Sequence, residues 1–138
     1  MQQQISLVFN PISSSGTTAE TAQNLSGFLE NQGYKTFVVE SKQKMSHYQE
    51  ILHEFEQSSC VLVIGGDGTL RKLLKVLAKS QAPVYMIPGG NESLFAKHFG
   101  MTANKELLLS ALQRNEILEQ YFGVLSGSNF NGEKPFFI

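Results

Sequence analysis

Apolar and polar residues alternate along the chain in blocks with two different spacings. Short apolar runs predict four strands, and longer segments with apolar residues every three or four positions predict helices. Because strands and helices alternate, the pattern predicts a three-layer α/β domain with a mostly parallel sheet. The predicted strands are Ile5–Phe9, Lys35–Glu40, Val61–Ile64 and Val84–Ile87, and the predicted helices are Thr18–Asn31, Tyr48–Phe55, Leu70–Leu77, Asn91–Phe99 and Lys105–Arg114.

Particular residues mark where the predicted helices begin and end, and which face they bury. Gly33 and Gly100 are placed to end the helices that precede them, and Thr17 or Thr18 is placed to cap the first helix. The inner positions predicted from the spacing are Ala22, Leu25, Phe28 and Leu29; Ile51, Leu52 and Phe55; Leu70, Leu73, Leu74 and Leu77; Leu94, Phe95 and Phe99; and Leu107, Leu108, Ala111 and Leu112.

The pattern changes beyond the fifth predicted helix. Ile117–Leu125 has the spacing of an extended strand, Asn131-Gly132 is a hairpin signal, and Pro135–Ile138 is an apolar run. We therefore expect residues 1–115 to form the α/β domain and residues 116–138 to be the first strands of a truncated, β-rich second domain. The unpaired edge of the last strand is expected to favour association with another copy of the chain or with the missing part of the second domain.

The most informative stretch is Cys60–Leu77. Its apolar run leads into Gly65-Gly66-Asp67-Gly68-Thr69, called the glycine turn below, and then into a helix. Glycines let the backbone approach an anion closely, and N–H groups at a helix start point towards it. The order of strand, glycine turn and helix therefore predicts a phosphate site and a bound nucleotide. The turn matches neither the Walker A motif nor the dinucleotide fingerprint.

Two further loops follow predicted strands, Asn10–Gly16 and Gly89–Asn91. Since the carboxyl ends of parallel strands share one edge of a sheet, the three loops are expected to converge on one ligand. The serine-rich segment Ile12–Thr18 has two interpretations. It is either a flexible turn that ends in a helix cap or a second loop that faces phosphate.

Asp67 and Thr69 are the polar side chains of the glycine turn. A carboxylate beside a polyphosphate is repelled unless a cation compensates, so Asp67 is predicted to act through Mg²⁺ bound to the phosphates. The alternatives are that Asp67 accepts hydrogen bonds from a hydroxyl or a backbone N–H, or simply forms a tight Asp-Gly turn. Thr69 is placed to cap the helix or to donate a hydrogen bond to phosphate.

Composition narrows the class of protein. The 138 residues suit one compact domain, 41% of them are hydrophobic, and a net charge of −1 provides no basic field for nucleic acid. The single cysteine, Cys60, excludes an internal disulfide and is expected to be a core thiol. His47 and His53 are expected at the surface. No signal peptide or membrane-spanning run is apparent, so we expect a soluble, cytoplasmic protein that can also visit a membrane surface.

The three loops together carry a resemblance. Asn10-Pro11 with its serine-glycine loop, the glycine turn, and Pro88-Gly89-Gly90 leading into Phe95-Ala96-Lys97 resemble the catalytic-domain pattern of the diacylglycerol kinase family. That family includes bacterial lipid kinases and sphingosine kinases and is distantly similar to NAD kinases. The resemblance implies a Rossmann-like, ATP-binding first domain, and a second, β-rich domain that supplies much of the lipid site and the catalytic base.

Carried onto this sequence, the family's ATP contacts fall on four stretches, with Asp67 in the catalytic and metal-binding position. This chain has Arg71 and Lys72 where the family usually has an Asn-Glu pair, and Asn91 follows Gly90 where the family usually has threonine. The implied contacts are Asn10, Pro11, Ile12, Ser13 and Ser14; Ser41; Gly65, Gly66, Asp67, Gly68, Thr69, Leu70 and Arg71; and Asn91.

Three functions are therefore considered. The first is the ATP- and Mg²⁺-binding domain of a lipid kinase, whose lipid acceptor binds through the second domain. The second is an NAD-kinase-like phosphotransferase acting on a soluble dinucleotide. The third is a degenerate domain that binds a nucleotide or a partner without catalysis, which the residues at Arg71, Lys72 and Asn91 favour. By itself the chain is expected not to phosphorylate a lipid.

Overall fold

Four parallel strands form the central sheet of the computed structural model, which describes residues 2–12, 16–41, 48–88, 94–114, 117, 122–125 and 134–137. The predicted α/β order and parallel sheet are confirmed. The elements in chain order are β1 (Gln4–Phe9), α1 (Thr18–Asn31), β2 (Lys35–Glu40), α2 (Tyr48–Gln57), β3 (Cys60–Gly65), α3 (Asp67–Ser80), β4 (Val84–Pro88), α4 (Leu94–Phe99), α5 (Lys105–Arg114), β5 (Phe122–Leu125) and β6 (Lys134–Phe137).

Helices cover both faces of the sheet, and residues of each strand alternate between the two faces. On β3, Val61 and Val63 belong to the core shared with α2 and α3, whereas Leu62 and Ile64 belong to the core shared with α1 and α5. All four side chains are fully buried. Because neither face meets water, the strand is apolar at every position, as is usual in all-parallel sheets.

The strand order is β2-β1-β3-β4, so the chain moves one way from β1 to β2 and the other way from β3 to β4. Right-handed crossovers then require α1 and α3 to lie on opposite faces of the sheet. The side chains of these helices lie on opposite faces, since Leu25 of α1 belongs to one core cluster and Leu73 of α3 to the other. The reversal leaves a switch point between β1 and β3.

The predicted end of α1 is confirmed, and the N-cap residue is Thr17, one of the two predicted candidates. Gly33 has a φ of +95°, and the N–H of Tyr34 donates to the carbonyl of Leu29 at 3.0 Å, which closes the helix at its carboxyl end. At the other end, Thr17 has helical backbone angles and its side chain makes no capping bond. The hydroxyl of Thr18 instead donates to the carbonyl of Asn10 at 2.5 Å.

Two predicted inner positions are exposed. Leu94 is 69% exposed because α4 has only six residues and buries Ala96 instead. Leu107 is 54% exposed because the inner stripe of α5 runs through Leu108, Ala111 and Leu112. Leu107 precedes Leu108 and so lies about 100° away around the helix.

Beyond α5, the described residues form an antiparallel pair. Strands β5 and β6 make a separate two-stranded sheet, with Phe122 opposite Phe137 and Leu125 opposite Lys134. The predicted turn at Asn131-Gly132 lies outside the described residues. In the part of the chain that the structure describes, no helix is long and apolar enough to span a membrane.

Candidate functional site

The carboxyl ends of the sheet strands lie along one edge, called the carboxyl edge here. Phe9 at the end of β1 pairs with Glu40 of β2 and with Ile64 of β3. The chain therefore leaves β1 at Asn10 and β3 at Gly66 on neighbouring positions of this edge. Because the chain direction reverses between these two strands, this is the crevice in which open α/β sheets bind ligands.

Asn10 joins the first loop to the glycine turn. Its amide nitrogen donates to the hydroxyl of Thr69 at 3.3 Å, and its side-chain oxygen accepts the N–H of Ile12 at 3.2 Å. Its backbone carbonyl accepts the hydroxyl of Thr18, and its N–H donates to the carbonyl of Ile64 at 3.3 Å. Asn10 thus holds β1, β3, α1 and the first turn of α3 together. The start of the first loop and the glycine turn therefore lie side by side at this residue.

Gly65 is a glycine because the fold requires one. Its φ is +155°, and a Cβ added there would lie 2.7 Å from Oγ1 and 3.0 Å from Cβ of Thr69. Thr69 is 4% exposed and already bonded to Asn10, so it has little room to move. The first glycine of the turn is therefore needed for close packing of β3 against α3.

Gly66 and Gly68 lie in a different environment. A Cβ added at either position meets no atom of the described residues within 4 Å. Gly66 is the N-cap of α3 with φ −104° and ψ −173°, an extended conformation open to any residue. These two glycines therefore leave open space in front of the helix start, where N–H groups have no acceptor within the helix.

The carboxylate of Asp67 contacts the start of α4. One carboxylate oxygen accepts the N–H of Leu94 at 2.9 Å and the other accepts the N–H of Phe95 at 3.2 Å. Of the alternatives left open by the sequence, the described contacts show the carboxylate accepting backbone N–H groups. Its predicted part in metal binding is untested by them. The partner lies 27 residues further along the chain, so no local pattern indicates it.

The remaining predicted contacts have varied surroundings. Ser41 follows β2, and its N–H donates to the carbonyl of Phe9 at 2.8 Å, which keeps it at the carboxyl edge. Leu70 is 2% exposed, so only its backbone can reach a ligand. Arg71 is exposed on the first turns of α3, half-buried Pro11 follows Asn10, and Ile12 is 78% exposed. Ser13, Ser14 and Asn91 lie outside the described residues.

The described residues contain no ready-made metal centre. Among them, no group of three or more His, Cys, Asp or Glu side chains is placed to hold a metal ion. Cys60 is buried at the start of β3, and burial raises the pKa of its thiol to about 12. A thiol that stays protonated at neutral pH is a core residue and a poor nucleophile.

Comparison with known proteins identifies the family. The family model of the diacylglycerol kinase catalytic domain matches residues 4–123. Two curated diacylglycerol kinases of Mycobacterium tuberculosis, from strains CDC 1551 / Oshkosh and ATCC 25618 / H37Rv, are each 23% identical over 142 residues, covering 92% of this chain and 46% of the relative.

A solved structure shows the same fold. A diacylglycerol kinase from Bacillus anthracis str. Sterne is 17% identical and superimposes with a TM-score of 0.62, over 86% of this chain and 44% of that one. The chain thus spans about half the length of the relatives it matches. With the family model covering most of its residues and the glycine turn in the expected strand-to-helix position, the chain belongs to the diacylglycerol kinase catalytic domain family.

Proposed function

We propose that this chain binds ATP at the carboxyl edge, as the nucleotide-binding part of a lipid kinase that transfers a phosphoryl group to a lipid hydroxyl. The observation that carries the proposal is the open space in front of Gly66 and Gly68 at the start of α3. Membership of the diacylglycerol kinase catalytic domain family supports the reaction class. The acceptor and the whole enzyme's activity are proposed from the family, because the chain covers about half of its relatives.

The first turn of α3 suits a polyphosphate. Its N–H groups and the positive end of the helix dipole attract anions, and the absence of side chains on Gly66 and Gly68 lets phosphate oxygens come close. Arg71 is exposed one turn further on, and helical side chains incline towards the amino end of their helix. Its guanidinium is therefore placed to pair with phosphate. Phosphoryl transfer depends chiefly on such charge stabilisation and on positioning.

Magnesium enters this proposal with the nucleotide. When bound to ATP, Mg²⁺ neutralises part of the phosphate charge and orients the transferring group. Such an ion needs only one or two protein carboxylates, since phosphate and water supply its other ligands. The proposal places the protein in the cytoplasm, where ATP is available, with access to lipid at the membrane surface.

Replacing Gly66 by valine tests the site. The extended backbone at Gly66 accepts valine without strain, and its side chain would fill the space in front of the helix. Calorimetric titration with ATP and Mg²⁺ is expected to show at least about a hundredfold weaker binding, which is about 2.7 kcal/mol. Circular dichroism is expected to show an unchanged fold.

Gly27→Val is the matched control. Gly27 lies on the exposed side of α1, and a Cβ there also meets no atom within 4 Å. The affinity of the Gly27→Val chain for ATP should equal that of the wild type. A folded Gly66→Val chain that binds ATP as tightly as the control would remove this edge as the nucleotide site.

A transfer assay separates the function from its alternatives. The protein containing this chain is incubated with labelled ATP and either diacylglycerol, a long-chain base or NAD. Labelled diacylglycerol or labelled long-chain base supports a lipid kinase, and labelled dinucleotide supports an NAD-kinase-like enzyme. ATP binding without any labelled acceptor supports the non-catalytic nucleotide-binding domain.

A further inference from the structure

Asp67 connects two helices that are distant in sequence. It is the first residue of α3, and both oxygens of its carboxylate accept N–H groups from the first two residues of α4, Leu94 at 2.9 Å and Phe95 at 3.2 Å. These contacts have the form of a helix cap provided from another part of the chain.

The physical chemistry of this contact favours a carboxylate. The first N–H groups of α4 have no acceptor within their own helix, and hydrogen bonds to an ionised acceptor are stronger than neutral ones. The negative charge also lies at the amino ends of both α3 and α4, where helix dipoles stabilise it. These two hydrogen bonds thus give Asp67 a role in the fold that involves no metal ligand.

The cap also joins α4 to the glycine turn beside β4. Pro88, the last residue of β4, pairs with Gly65 in the β3–β4 ladder. Leu94, the first residue of α4, has its N–H held by Asp67. The end of β4 and the start of α4 are thus both attached to residues of the glycine turn, one through the sheet and the other through the carboxylate.

We propose that Asp67 is a positioning residue, which holds the start of α4 against the glycine turn and supports nucleotide binding through this cap rather than as a magnesium ligand. This inference rests on the proposed function. It predicts that the chain responds most strongly to loss of both hydrogen-bond acceptors, and less strongly to loss of the negative charge together with one acceptor.

Two substitutions of Asp67 distinguish a helix cap from a magnesium ligand. Asp67→Asn keeps one side-chain oxygen that can accept an N–H, and asparagine is as good a helix cap as aspartate. Asp67→Ala removes both acceptors. Glu20→Ala is the control, because Glu20 is an exposed acid in the first turn of α1, as Asp67 is in that of α3.

The first measurement is amide hydrogen exchange at Leu94 and Phe95 without nucleotide. We expect exchange at least about tenfold faster in Asp67→Ala than in the wild type, and most of the protection retained in Asp67→Asn. Glu20→Ala should match the wild type. Unchanged protection in a folded Asp67→Ala chain would overturn the cap, whatever the chain binds.

The second measurement is ATP affinity with Mg²⁺ and with a chelator. We expect Asp67→Ala to weaken binding by about tenfold under both conditions, and Asp67→Asn to stay within about threefold of the wild type. If Asp67→Asn binds ATP as weakly as Asp67→Ala, and only when Mg²⁺ is present, then Asp67 is a metal ligand and the proposal is overturned. A wild-type chain that binds no ATP would contradict the proposed function, while the exchange result would still report on the cap.

Discussion

The two edges of the sheet use similar polar contacts for opposite results. At the amino edge, where the strands begin, the hydroxyls of Ser6 and Ser58 lie 2.6 Å apart, and the amide of Gln4 donates to Ser58 at 3.3 Å and to Glu54 at 2.8 Å. Gln4, Ser6 and Ser58 are all buried. The polar groups of this edge therefore satisfy one another and close it against solvent.

At the carboxyl edge, polar contacts hold the backbone and leave space. Asn10 bonds to Thr69, and Asp67 bonds to the start of α4, so the residue that follows β1 and the first turn of α4 are both fixed to the glycine turn. Between these contacts, Gly66 and Gly68 have no side chain, and no neighbour in the described part of the chain lies where one would be. The comparison shows that hydrogen bonding alone does not mark a site. The proposed site differs from the amino edge in combining such hydrogen bonds with open backbone at Gly66 and Gly68.

The largest expected effect is on the reactivity of a cysteine at the amino edge. Cys60 begins β3, and burial raises the pKa of its thiol to about 12. At pH 8 its thiolate fraction is then lower than that of an ordinary thiol, whose pKa is 9.0, by about a thousandfold. We expect a disulfide reagent such as DTNB to react with the native chain at least about a thousandfold more slowly than with the urea-unfolded chain. Rapid reaction in the native state would show that the amino edge opens.

The same pKa gives a pH dependence of stability. The unfolded thiol loses its proton near pH 9 and the folded one near pH 12, so the unfolded state binds fewer protons between these values. The contribution of the protonated thiol is present below pH 9 and is lost as the pH rises towards 12. A Cys60→Ala chain should show a smaller loss of stability than the wild type between pH 8 and pH 10 in urea denaturation.

The next effect separates the two kinds of glycine in the turn. In Gly65→Ala, the new methyl group meets Thr69 at 2.7 Å while the backbone is held at a φ of +155°. We expect a loss of about 2–4 kcal/mol in the free energy of unfolding. Gly68→Ala is the control, since its methyl group meets nothing and alanine favours a helix by up to about 1 kcal/mol. Equal stabilities of the two variants would contradict the distinction.

This distinction also shows what the sequence could predict. The hydrophobic pattern correctly predicts where α1, β2 and α5 begin and end, because each has regular spacing and clear end signals. The alternation of strands and helices correctly predicts that the carboxyl ends of β1, β2, β3 and β4 share one edge. The sequence pattern assigns Gly65 and Gly66 the same role, although one glycine is required by packing and the other faces open space. Packing between separate segments decides that, and local sequence does not record it.

The cap on α4 could not be predicted from the sequence for the same reason. Spacing around Asp67 indicates a turn and a helix start, and spacing around Phe95 indicates a helix. Their contact depends on how β3 and β4 lie side by side, which fixes where two distant segments meet. The sequence thus indicated which residue carries the charge and left open what that charge contacts.

The smallest expected effects come from a matched pair, one hydroxyl on each edge. Ser6→Ala removes a hydrogen bond to Ser58, but Ser58 keeps its hydrogen bonds to Gln4 and to the carbonyl of Glu54. Thr69→Val removes the acceptor of Asn10 without changing side-chain shape. Each loss is expected to lower the free energy of unfolding by about 1 kcal/mol.

The two variants should differ in ATP affinity. Ser6 lies at the closed edge, so Ser6→Ala should bind ATP as the wild type does. Thr69→Val frees the first loop from the glycine turn, and we expect binding about three- to tenfold weaker because part of the binding free energy must then order that loop. Urea denaturation and calorimetric titration on both chains measure the two quantities. Equal affinities at equal stabilities would show that the Asn10–Thr69 contact supports only the fold, and that the two edges differ less than their geometry indicates.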